Sequence, residues 1–180
     1  MRTGNLMRIV AVAAALLIHS ATASAQQGSA ATKVLDEYHL SAAAMYNHHA
    51  FEHAGILWRL ATAGQPMPGS ILKEHVDGIR ANLRASAAAL GKVSGESKGN
   101  AQVAAGFTAV QSRLDQLQSR TTELAAATDV AQVAKHSTEI GAGLNQILRT
   151  EEQLAAVIFP TQTQRVYVQE KWPSDEPYHD

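Results

Sequence analysis

The chain has 180 residues, no cysteine, eight histidines, and 15 basic against 16 acidic side chains. Without cysteine there are no disulfides, thiolate zinc sites, iron–sulfur clusters or covalent C-x-x-C-H haem. A formal charge of −1 excludes the strongly basic surface that nucleic-acid binding requires.

The first 25 residues have the three parts of a secretory leader. Arg2 and Arg8 give a positive start, Ile9 to Ile18 is an apolar run, and Ala23-Ser24-Ala25 is a small-x-small cleavage pattern. The run is too short to span a bilayer, which takes about 20 residues. The expectation is a periplasmic protein that begins at Gln26 and has no membrane attachment after cleavage. Cleavage removes two arginines and His19, leaving 155 residues with 13 basic and 16 acidic side chains, a formal charge of −3.

Abundant alanine and the lack of β-branched runs favour helix. A first helix is expected from about Ala30 to Ala63, stopped by Gly64-Gln65-Pro66. Its inner face reads as Leu35, Ala42, Tyr46, Ala50, Leu57 and Leu60. A second runs from Ser70, read as its N-cap, to about Val93, and a Gly/Ser/Lys loop follows from Ser94 to Gly99. The third spans about Asn100 to Ala127 with the stripe Val103, Phe107, Val110, Leu114, Leu117 and Leu124. The fourth begins at Asp129, where Asp129 and Gln132 stand at capping-box spacing, and Pro160 ends it.

Short connections between such helices favour an all-α, antiparallel up-down-up-down four-helix bundle over residues 26–160. Gly78, Gly106, Gly141 and Gly143 inside helices suggest close helix approaches. Residues 161–180 break the helical pattern and read as an extended tail, with Tyr167 and Trp172 available to dock on the bundle or a protein partner.

The histidines are the unusual feature. At 100° per residue, His39, His49 and His53 fall on the inner arc assigned to the first helix, while His48 points outward. His75 and His136 fall on the inner sides of the second and fourth helices. Folding at the three connections puts His75 and His136 in one layer, with His53 and then His49 at successive turns beyond it. The expectation is a metal site of His49, His53, His75 and His136, taking copper, zinc or nickel, the ions that suit neutral imidazoles. No Glu-x-x-His pair occurs in the four helical segments, since Glu176 and His179 lie in the tail, and Glu52 and Glu74 read as outward, so a di-iron bundle is not expected. A second polar cluster of His39, Tyr46 and Glu151 is expected at the other end, with Tyr46 bonded to Glu151 because a buried carboxyl needs a partner.

Three functions fit this reading. One is transition-metal sequestration or sensing. Another is non-covalent binding of haem b between inward histidines. The third is a ligand-free structural or interaction module that docks through its tail. Gly95-Glu96-Ser97-Lys98-Gly99 matches G-x-S-x-G only in a loop between two helices, not at the strand-to-helix turn that motif needs, and no H-E-x-x-H or glycine-rich phosphate loop occurs, so no enzyme is expected.

Overall fold

The computed structural model describes the backbone of residues 4–160 and the side chains of residues 29–160. The side chains of the expected leader, residues 1–25, and the whole expected tail, residues 161–180, lie outside the described residues. Four helices follow in order: α1 (Gly4–Thr62), α2 (Gly69–Gly91), α3 (Ala101–Ala125) and α4 (Val130–Ile158). Among the described residues no helix is long and apolar enough to cross a membrane.

The helix ends follow local chemistry. At the end of α1, Gly64 takes a left-handed φ of 62°. The Gly64 N–H then donates to the Ala61 carbonyl and the Gln65 N–H to the Leu60 carbonyl, the paired bonds of a Schellman cap. α2 starts one residue before the expected Ser70 cap: the Pro68 carbonyl accepts from Ile71 and Leu72, and no side chain caps the end. Asn100 caps α3 by accepting from the Gln102 N–H at 2.8 Å. Asp129 caps α4 by accepting from the Gln132 N–H at 2.8 Å, while the Gln132 side chain accepts from the Thr128 N–H at 3.1 Å. That closes the reciprocal box the sequence announces, one residue further back than the usual partner.

α1 packs against α2 and α4, and α3 packs against the same two helices, so α1/α3 and α2/α4 are the diagonals. Contacts at both ends of two pairs fix their direction. Asp36 meets Ser94 beyond the end of α2, whereas His53 meets His75 near the start of α2, so α1 and α2 are antiparallel. Gly106 lies against Leu154, Gly143 against Leu117 and His136 near Glu123, so α3 and α4 are antiparallel too. The core between the four is aliphatic, with Leu57, Ile79, Leu83, Leu114, Leu124, Ile140 and Leu144 fully buried. Each such side chain contributes about 1.5–3 kcal/mol by leaving water.

The inner face of α1 differs from the expected one. Leu35 is 58% exposed, and Tyr46 and Leu60 are half-buried. The buried set is Asp36, Leu40, Ala43, Ala44, Asn47, Ala50, Phe51, Ala54, Leu57 and Ala61. Alanines let two neighbouring helices come close, and two polar residues are accepted because each finds a partner. Asp36 accepts from the Ser94 N–H at 2.8 Å, the Ser94 hydroxyl at 2.5 Å and the Ser97 hydroxyl at 2.6 Å, anchoring the α2–α3 connection to α1. Burial alone would raise this carboxyl, but the hydrogen bonds from Ser94 and Ser97 outweigh it and hold it below its ordinary value.

Asp36→Ala strands the Ser94 N–H and should cost about 2–3 kcal/mol in urea unfolding at pH 7. Because the folded-state value is depressed, this contribution is present above pH 3.8 and lost as the pH falls through the lower folded value. A variant as stable as the parent at pH 7 would show that the anchor contributes nothing.

Candidate metal centre

The structure divides the four expected ligands between two places and a free surface. His53 and His75 meet across α1 and α2, with Nδ1 atoms 2.9 Å apart and ring planes inclined at 54°. His49, expected on the inner arc, is exposed, because the true phase of α1 turns Ala50 and Ala54 inward instead. His136 lies on α4 at the α3 interface, 3.6 Å from Glu123 and 3.6 Å from Glu139. The expected single layer fails because α2 and α4 are diagonal partners, so matching heights do not bring His75 to His136. Glu52 and Glu74 are exposed, as expected.

Among the described residues, one group of three ligand atoms from histidine or carboxylate side chains lies within 4.8 Å of one another: Glu123, His136 and Glu139. His136 and Glu139 stand one turn apart on α4, and Glu123 reaches them from the last turns of α3. The His136 ring is 14% exposed. Its Nδ1 and the Glu139 Oε2 are buried atoms with no hydrogen-bond partner. Arg120, one turn before Glu123, lies 2.6 Å from the Glu123 carboxylate and 3.5 Å from Glu139. The hydrogen bond from Arg120 lowers the Glu123 carboxyl, and the same bond raises the Arg120 guanidinium. Two carboxylates thus face one fixed cation and one imidazole.

The His-x-x-Glu spacing of His136 and Glu139 is visible in the sequence, though in the reverse order of the Glu-x-x-His pair sought there. Glu123 is not findable that way, since it joins only through the α3–α4 register.

The His53–His75 pair depends on a glycine. A methyl group at Gly78 would stand 2.5 Å from His53 Nε2 and 2.7 Å from its Cε1, so α2 admits the His53 ring only because position 78 has no side chain. Burial lowers the His75 imidazolium, and the neighbouring His53 lowers it further against the opposing pull of Glu74.

The second expected cluster also takes a different form. Glu151 is buried as expected, but its partner is Asn47, whose side-chain amide donates to Oε1 at 2.9 Å. Tyr46, one residue earlier, is half-buried, and His39 is half-buried edge-on to Tyr38. Burial pushes the Glu151 carboxyl up to about 8, with the Asn47 bond opposing. Glu151 Oε2 and Asn47 Oδ1 are the two atoms of this pair left without a partner, and both are acceptors when the acid is ionised. Burial disfavours the charge on this carboxyl, which is why the site favours the neutral acid.

No family model, no curated protein and no solved structure matches this chain. The residues and their geometry therefore carry the functional argument.

Glu151→Gln mimics the neutral acid, offering an N–H where the proton would be. The folded carboxyl holds its proton up to about pH 8 while an unfolded one loses it above about 4.5, so wild-type stability falls as pH rises between those values. The variant should unfold at higher urea than the wild type at pH 8, and at about the same urea at pH 4. Equal midpoints at both pH values would refute the neutral acid.

Proposed function

We propose that this chain is an exported helical bundle that takes up a divalent transition metal on Glu123, His136 and Glu139, for sequestration or sensing in the periplasm. The observation that carries the reading is the group itself, whose ligand atoms lie within 4.8 Å of one another, with His136 Nδ1 and Glu139 Oε2 buried and held only by ion-pair contacts of 3.5–3.6 Å without a hydrogen bond. A buried atom without a hydrogen bond costs about 1–3 kcal/mol, a cost that the Arg120 contact at 3.5 Å offsets in part for Glu139. An ion satisfies both at once. Export rests on the leader pattern of residues 1–25.

One imidazole and two carboxylates, with a water in the fourth position, suit Zn²⁺ best among copper, zinc and nickel. Arg120 holds the charge of the site in the metal-free state and gives way to the ion. The haem alternative draws no support from the histidines, since Nδ1 atoms 2.9 Å apart leave no room for a porphyrin between them. A protein-interaction role is favoured by one observation, the exposed apolar side chains of Val34, Leu35, Tyr38 and Met45 on α1.

Zinc competition titrations of the purified protein test the metal reading. His136→Ala should weaken Zn²⁺ binding at least tenfold. Arg120→Ala should tighten it about three- to tenfold, because a competing cation is gone. Affinity indifferent to His136→Ala would refute the reading, and weaker binding in Arg120→Ala would mean that the arginine is not a competitor.

A further inference from the structure

A second pair of imidazoles stands apart from the carboxylate group. His53 on α1 and His75 on α2 approach through Nδ1 at 2.9 Å, and both rings are half-buried. One neutral imidazole donating to the other accounts for the distance in the metal-free protein. It does not account for the arrangement around it. α2 carries Gly78 in mid-helix, at about 1 kcal/mol relative to alanine, and that vacancy receives the His53 ring. A bond between two surface histidines needs no such accommodation.

The separation also has a coordination meaning. Two nitrogens each about 2.0–2.1 Å from one ion subtend about 90° at the metal when they are 2.9 Å apart. A tetrahedral angle would require about 3.3–3.4 Å between them. The pair is therefore set for the right-angled bite of a tetragonal ion, as Cu²⁺ and Ni²⁺ prefer, and is short for tetrahedral Zn²⁺.

We propose that His53 and His75 form a second metal site, selective for Cu²⁺ or Ni²⁺, with both Nδ1 atoms as adjacent equatorial ligands and water in the remaining positions. The His53 Nε2 edge lies against Gly78 and the Nδ1 edge faces His75, so seating of the ring selects which nitrogen binds. The proton balance is simple. The ring that donates in the metal-free pair shifts its Nδ1 proton to its own Nε2, freeing a lone pair, and no net proton is released. The site shares no residue with Glu123, His136 and Glu139, and does not depend on that group binding an ion.

Copper titration of the full purified chain, read by electron paramagnetic resonance, tests the proposal. One Cu²⁺ should bind with a tetragonal spectrum showing two imidazole nitrogens, in the wild type and in His136→Ala alike. His53→Gln and His75→Gln should each remove the two-nitrogen signal and weaken Cu²⁺ at least tenfold. Gly78→Ala, which displaces the His53 ring while keeping both histidines, should weaken it as well. Far-UV circular dichroism should show the same helix content in every variant; for one that loses helix, the corresponding Asn variant that retains it gives the reading. A two-nitrogen signal that persists in folded His53→Gln overturns the site. So does a signal lost in His136→Ala, which would place copper on the carboxylate group. Zn²⁺ bound at His53 and His75 as tightly as Cu²⁺ overturns the selectivity argued from the bite.

Discussion

A polar side chain taken out of water must find a partner, and α1 carries such side chains into the bundle at three heights. Asp36 reaches the connection after α2, Asn47 reaches Glu151 on α4, and His53 reaches His75 on α2. Aliphatic contacts tolerate sliding, because one leucine packs nearly as well against the next. These three pairings do not, because each is satisfied at one register. A slip of a single turn would strand all of them at about 1–3 kcal/mol apiece. The position of α1 against both neighbours, and with it the geometry of the histidine pair, follows from that requirement.

The same requirement explains which parts of the structure were legible in the sequence. On α3 the stripe of large apolar residues is the buried face: Val103, Phe107, Val110, Leu114, Leu117 and Leu124 are all buried. α1 follows different rules. Its inner face mixes alanine with Asp36 and Asn47, so a reading that seeks leucine and tyrosine rotates the helix toward Leu35 and Tyr46. That rotation brought His49 inward on paper and hid Asn47 as the partner of Glu151. Hydrophobicity alone could not locate a face chosen for closeness and for hydrogen bonding.

Heights along the bundle were read more faithfully than positions around it. His53 lies beside His75, one turn from the level expected, and His136 lies beside Glu123, close to where the fold of the α3–α4 connection puts it. What a linear reading lacks is the cross-section, which decides who is adjacent and who is diagonal. The interior glycines were legible in a general way as close approaches. Gly106 and Gly143 receive leucines from the opposite helix, as helix packing leads one to expect, whereas Gly78 receives an imidazole.

The buried acid on α4 has a consequence for how the molecule counts its charge. Assigning Glu151 a full negative charge at neutrality describes the denatured chain, since the folded one keeps that carboxyl protonated up to about pH 8. Native and denatured molecules therefore differ by up to one proton through this residue between about pH 4.5 and 8. Each unfolding event near pH 6 liberates an acid equivalent from Glu151, and each refolding event must recapture it. The measured heat of unfolding there includes the ionisation heat of whatever buffer accepts that proton.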